Sequence, residues 1–168
     1  MNSYLITSTR KSSGKTTITI GLSRILNRMK YKLANFKKGP DYIDPLWISK
    51  ASKTSCYNLD FNTMSTAEIK KLFKLKTQNT ALNLIEGNKG LFDGVSLDGS
   101  DSNAAMAHVL KLEIILVIDC SGITRGIAPL INGYKDFDPK IKCKGIILNN
   151  IASDRHEGKI INAIAEYS

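Results

Sequence analysis

Residues 9–17 read Thr9-Arg10-Lys11-Ser12-Ser13-Gly14-Lys15-Thr16-Thr17. They match the phosphate-loop pattern G-x-x-x-x-G-K-[ST] except at its first place, where Thr9 stands for glycine. The residue types suit that chemistry. Gly14 lets backbone N–H groups close on oxygen atoms, and the N-terminus of a following helix completes an anion cradle. Lys15 can reach terminal phosphates, and the Thr16 hydroxyl suits a magnesium ion that keeps most of its waters. Such an ion also needs a carboxylate at the tip of a neighbouring strand. The segment Leu82-Asn83-Leu84-Ile85-Glu86-Gly87 supplies it, so Glu86 is expected to serve the metal. A second dense group is Lys37-Lys38-Gly39-Pro40-Asp41-Tyr42-Ile43-Asp44-Pro45, whose carboxylates and lysines can handle both a metal and an anionic substrate. Its prolines and glycine read as a rigid turn. Asp119, closing an apolar run, is a further candidate, either for the site or as a cap for the next helix.

The elements that must position these residues follow from hydrophobic patterning. Short apolar runs alternate with amphipathic segments, the mark of an α/β domain with a mostly parallel sheet flanked by helices. Strands are expected at Tyr4–Thr7, Leu33–Phe36, Leu82–Ile85, Ile114–Ile118 and Gly145–Leu148. The last two are apolar at consecutive positions, as in strands covered on both faces. Helices are expected at Thr16–Met29, Thr66–Leu75, Asn103–Leu110, Ile127–Tyr134 and Arg155–Ala165. The first would turn Ile18, Leu22, Ile25, Leu26 and Met29 toward the sheet. Ser65 with Glu68 forms a capping box for the second. Long connections are expected at Lys37–Ser65 and Gly87–Asp101, and both follow strand ends, where open α/β sheets bind ligands.

Composition bounds the reading. A chain of 168 residues fits a single domain spanning 1–168. The run Ile114–Ile118 is far short of the ~20 residues of a spanning helix, and Asn2-Ser3-Tyr4 leads straight into a strand, so a cytoplasmic protein without a membrane partner is expected. Cys56, Cys120 and Cys143 have no metal or redox spacing and read as small core residues. The formal charge of +9 is concentrated early: ten Lys or Arg in the first fifty residues face only Asp41 and Asp44. Such a field attracts polyanions, whether nucleotide phosphates, nucleic acid or a polycarboxylate.

Five segments occur in a telling order: Ser8–Thr17, Lys38-Gly-Pro-Asp-Tyr-Ile-Asp-Pro45, Asn58-Leu-Asp60, Glu86-Gly-Asn-Lys-Gly-Leu-Phe-Asp-Gly94, and Asn149 through Ser153-Asp-Arg-His156. Together they resemble the ATP-binding synthetase domain of the cobyrinic acid a,c-diamide synthase family. That family includes hydrogenobyrinate and sirohydrochlorin amidases and is related to dethiobiotin synthetase. The resemblance implies a P-loop NTPase fold of dethiobiotin-synthetase type, a three-layer sandwich. It also implies a carbon–nitrogen ligase reaction with ATP and Mg2+, in which a tetrapyrrole carboxylate becomes an acyl phosphate and ammonia from glutamine displaces the phosphate.

By position, the resemblance implies that the segment Thr9–Thr17 holds the nucleotide, with Lys15 and Thr16 on phosphates and magnesium and Asn149 at the adenine. Asp41 and Glu86 would complete the metal site. Lys38, Asp44 and Asp93 would face substrate carboxylates or order the loops around them, with Tyr42, Ser100 and Ser102 near the substrate. The family also carries a glutaminase domain and a further apolar strand. Neither lies in these residues, so a glutaminase domain or partner chain is expected, along with a second copy of the chain. Arg10, Lys11 and Ser12 depart from the common form of the family's loop. Two other readings are a dethiobiotin-synthetase-like carboxylating ligase and a partition-type ATPase that binds DNA. The Lys38–Pro45 and Gly90–Gly94 strings argue against the first. Arg10, where the second would have lysine, argues against nucleic acid as a partner.

Overall fold

The computed structural model describes residues 2–168. In chain order the elements are β1 (Asn2–Ser8), α1 (Lys15–Arg28), β2 (Leu33–Lys38), α2 (Asp44–Ser52), β3 (Cys56–Leu59) and α3 (Thr66–Thr77). There follow β4 (Leu82–Glu86), α4 (Asn103–Leu110), β5 (Glu113–Asp119), α5 (Ile127–Phe137), β6 (Lys142–Asn149) and α6 (Asp154–Tyr167). The strands form one parallel sheet in the order β3-β2-β4-β1-β5-β6. From β1 the chain steps outward to β2, whereas from β4 it crosses β1 to reach β5. The crevice between β1 and β4 is thus the topological switch point, where such sheets take their ligands.

Alternation along each strand sorts side chains to the two faces. On one face Ile6, Leu84 and Val117 pack against Ile18, Leu22 and Leu26 of α1. On the other, Leu5, Phe36, Ile85, Leu116 and Ile118 pack with Ile69, Met106, Ile127 and Ile160 from α3 to α6. The capping box forms as expected: the Ser65 hydroxyl accepts from the Glu68 N–H, and the Glu68 carboxylate accepts from the Ser65 N–H.

Five expectations need correction. The stretch Lys37–Ser65 is not one long connection; it contains α2 and β3. A Pro45 that reads as a turn in sequence occupies the first turn of α2, where its missing N–H has no helical partner to lose. Ile25 and Met29 lie exposed at the rim of α1 rather than on its buried stripe. The strand β6 is an edge strand, paired only to β5 among the described residues, so its apolar run Gly145–Leu148 is half-buried rather than covered on both faces. For the same reason Cys143 is exposed rather than in the core, while Cys120 is buried.

Candidate functional site

Six residues join β1 to α1, and their shape is set by Gly14. It caps the helix in the left-handed region at φ 91°, where an L side chain is strained, and a Cβ there would collide with Nδ2 of Asn149. Asn149, at the tip of β6, donates instead to the Ser13 carbonyl at 2.9 Å and braces the loop from outside. Inside the loop the Ser13 hydroxyl donates to the Arg10 carbonyl, and the Tyr134 hydroxyl donates to the Thr9 carbonyl. Lys11, Ser12 and Thr17 are exposed. The Arg10 guanidinium folds back onto Asp119, 2.5 Å from its carboxylate. Asp119 also accepts from Ser121 and Asn150, contacts that hold its carboxyl well below the usual range. It anchors the loop and does not cap a helix, for α5 begins at Ile127.

Lys15 is buried at the start of α1, its ammonium donating to the Ser8 hydroxyl at 2.8 Å. Burial lowers its pKa, against the pull of Glu86, because a cation is costly away from water. This ammonium is available to an anion placed over the loop.

The carboxylates converge on the same face. Thr16 Oγ1 donates to Glu86 Oε1 at 2.5 Å and stands 3.3 Å from Asp44 Oδ2. Glu86 is fully buried, and its Oε2 has no hydrogen-bond partner. Burial pushes its pKa up, though Lys37 and Thr16 oppose that. Lys37 is the hub, an outcome the sequence reading missed. Its ammonium lies 2.6 Å from Asp44, 3.1 Å from Glu86 and 3.7 Å from Asp41. Burial disfavours its charge, yet Glu86 and Asp44 outweigh that and hold its pKa above the ordinary lysine value. Asp41 is kept ionised: burial is outweighed by the N–H groups of Asp44 and Ile43 and by Lys37. The signal for Lys37 was present in strand alternation. Lys37 is the register partner of Glu86, so both side chains leave the sheet on the α1 side.

Lys38 leaves on the opposite side. It lines a cavity of about 210 Å3 with Asp60, Lys89, Asp93 and Asp101. The loop after β4 closes over this region and is latched from beneath by Asn103, whose side chain donates to the Asn88 and Gly90 carbonyls and accepts from the Asn88 N–H. Gly90 allows that loop to touch the phosphate loop: a Cβ there would stand 3.0 Å from the Thr9 carbonyl oxygen. Asp93 accepts from the Gly90 N–H. The structure therefore brings Lys15, Thr16, Glu86, Asp41 and Asp44 together. Lys38 and Asp93 line the smaller cavity, with Asp93 near enough to Lys15 to favour its charge. Tyr42 is exposed on the rim. Ser102 spends its hydroxyl capping α4, and Ser100 is exposed with its N–H on Asp98. A larger cavity, about 820 Å3, opens between β6, α5 and α6, but none of the phosphate-loop or carboxylate residues lines it.

This arrangement of loop, buried lysine and strand-tip acids agrees with a family model that matches residues 4–168, described as the CobQ/CobB/MinD/ParA nucleotide binding domain. The chain belongs to that family. As a nucleotide-binding domain of the CobQ/CobB/MinD/ParA type, it is 44% identical over 162 residues to a cobyrinate a,c-diamide synthase of Magnetococcus marinus. It is 41% identical over 166 residues to a hydrogenobyrinate a,c-diamide synthase of Brucella suis. These alignments cover 96% and 98% of the chain but only 35% and 38% of the relatives. The chain thus spans little more than a third of their length. Among solved structures, it is similar to the signal recognition particle 54 kDa protein of Aeropyrum pernix in complex with GDP, with TM-score 0.64 and 18% identity over 98% of this chain and 38% of that one. It also resembles the hydrogenase maturation factor HypB of Archaeoglobus fulgidus, with TM-score 0.60 and 14% identity over 99% of this chain and 74% of that one. Those likenesses show the P-loop NTPase fold. Among the described residues, no helix is long and apolar enough to cross a membrane.

Proposed function

We propose that this domain carries out the ATP- and Mg2+-dependent step of tetrapyrrole amidation, converting a side-chain carboxylate to an acyl phosphate that ammonia then displaces. The observation that carries the reading is Glu86. Its buried Oε2 is without a partner, beside the Thr16 hydroxyl and on the same face as Lys15, in a chain 41–44% identical to synthases named for amidating such substrates.

The donor set fits magnesium, a hard cation bound by one or two carboxylates, a hydroxyl and waters. Thr16 and Glu86 would hold it, with Asp41 and Asp44 at the rim. When bound it would supply positive charge to offset that of the phosphates. The chain's own residues address the remaining electrostatics. Backbone N–H groups of residues 12–16 would cradle the phosphates, Lys15 would move from Ser8 to a phosphate oxygen, and Asn149, beside the loop at the tip of β6, would meet the base. Lys37 would keep Glu86, Asp44 and Asp41 gathered beside the phosphates. Preorganised charge of this kind is the usual source of the largest rate gains in such transfers.

In the reaction a substrate carboxylate oxygen bonds to the γ-phosphorus as the bond to ADP breaks. Ammonia then attacks the acyl carbon, phosphate departs, and a proton is released with the amide. Ammonia would come from glutamine through a domain or partner chain outside these residues. The formal charge of +9 favours a polycarboxylate substrate.

The test is ATP hydrolysis by this chain with Mg2+, ammonium and a panel of cobyrinate, hydrogenobyrinate and sirohydrochlorin, read by product mass. A mass change of one amide per ADP is expected. ATP hydrolysis without any amidated product would overturn the reading.

A further inference from the structure

Consecutive residues of β2 send two lysines to opposite faces of the sheet, and only one of them has partners. Lys37 is paired three times over. Lys38 is 8% exposed and has neither a hydrogen bond nor an ion pair among the described residues. Its ammonium is not sealed in the core, where only Asn58 Oδ1 and Glu86 Oε2 are buried without a partner among the described residues; it opens onto the cavity, where an anion can meet it.

The walls of its cavity sharpen the point. The three carboxylates there are committed to their own loops. Asp60 accepts from the Asn62 N–H and the Thr63 hydroxyl, Asp93 from the Gly90 N–H, and Asp101 from the N–H groups of Val95 and Ser96. Lys89 supplies a second cation on the same wall, its ammonium 3.2 Å from the Gly94 carbonyl oxygen. Burial lowers the Lys38 pKa, with Asp101 and Asp60 opposing, and an entering anion would relieve that penalty. At about 210 Å3 the cavity is smaller than the roughly 300–1,000 Å3 that takes a whole drug-sized molecule. It has room for one acidic arm of a larger molecule.

We propose that this cavity is a socket for a substrate carboxylate other than the one that reacts, with Lys38 as its cation and Lys89 as support. The inference rests on the amidation reading given above. By gripping one arm behind β2, the socket decides which other arm reaches Lys37 and the phosphates on the front. Lys38 then sets regiochemistry rather than rate.

Propionate serves as the probe. In the wild-type chain, titrated propionate should shift the side-chain NMR signals of Lys38 and Lys89 saturably, and Lys38→Met should remove the saturable shift at Lys89. With Mg2+-ATP, ammonium and hydrogenobyrinate, Lys38→Met should raise KM for the tetrapyrrole by about tenfold or more, the worth of a charge-assisted hydrogen bond. It should raise KM more than it lowers kcat, and it should spread the amide over additional positions. Lys89→Gln, on a half-exposed residue, should do the same to a smaller extent and covers the case in which Lys38→Met does not fold. If the wild type amidates no tetrapyrrole while propionate still binds at Lys38, the amidation reading fails and the carboxylate site stands. If the wild type amidates but propionate leaves Lys38 unmoved, or the variants change kcat alone with KM and product pattern intact, the socket is wrong.

Discussion

Lys37 and Glu86 are register partners on adjacent parallel strands, and the lysine ammonium stands 3.1 Å from the glutamate Oε1. Both side chains are almost wholly buried, at 4% and 0% exposure. The pair is therefore not a surface ornament. Lys37 holds Glu86, Asp44 and Asp41 in one place.

Removing the lysine should be costly in two ways. In Lys37→Met three carboxylates face one another without their cation, and breaking a buried pair of this kind costs about 3–5 kcal/mol. Urea unfolding should report that loss, and ATP turnover should fall with it. A variant with wild-type stability would show that the hub does not organise the site.

Lys15→Ala should abolish nucleotide binding, because the Lys15 ammonium is a buried cation at the phosphate loop whose single hydrogen-bond partner among the described residues is the Ser8 hydroxyl. Calorimetry with Mg2+-ATP would measure it. Unchanged affinity would mean that phosphates do not lie over this loop.

Glu86 predicts a pH dependence. Burial raises its pKa in the folded chain, so it takes up a proton at higher pH than an ordinary glutamate. Protonation removes a metal ligand. Mg2+-dependent turnover should therefore decline as pH falls, beginning above the usual carboxylate range, while Asp41, held below its ordinary value, keeps its charge further into acid. In Glu86→Gln the turnover should be weakened more than nucleotide binding, and the acid limb of its residual activity should flatten. An unaltered limb in that variant would assign the titration to another group.

At Gly14 two demands coincide, the positive φ and the space taken by Asn149. Gly14→Ala should weaken ATP binding, since the left-handed conformation alone costs roughly 1–2 kcal/mol in an L residue. Against the affinity of Asn149→Ala alone, which has no collision, Gly14→Ala should cost less than it does in the wild type but still cost something. No cost in that background would show that crowding, not backbone conformation, is what the glycine serves.

Much of the site was legible in local sequence. The phosphate loop is contiguous, and its function lies in backbone N–H groups and a lysine only one residue from the helix start, so Gly14, Lys15 and Thr16 declared themselves. The strand ending in Glu86 was visible because a buried parallel strand is apolar until its tip. Asn103–Leu110 has the bounds that its pattern predicts. In contrast, α2 and β3 escaped because a nine-residue helix opened by Asp-Pro and a four-residue edge strand carry too little periodicity to stand out from a turn.

What the residues alone determined was the inventory: an anion-binding loop, strand-tip acids, an excess of positive charge and a parallel α/β frame. What tertiary structure decided was which of two adjacent lysines does which work. Lys37 and Lys38 are chemically identical, and no local propensity separates them. The pleat sends them to opposite faces, and the pairing of β2 with β4 puts Lys37 against Glu86 while leaving Lys38 in a cavity of its own. Roles that depend on sheet register are set by strands distant in the chain, so they exist only once the sheet has formed.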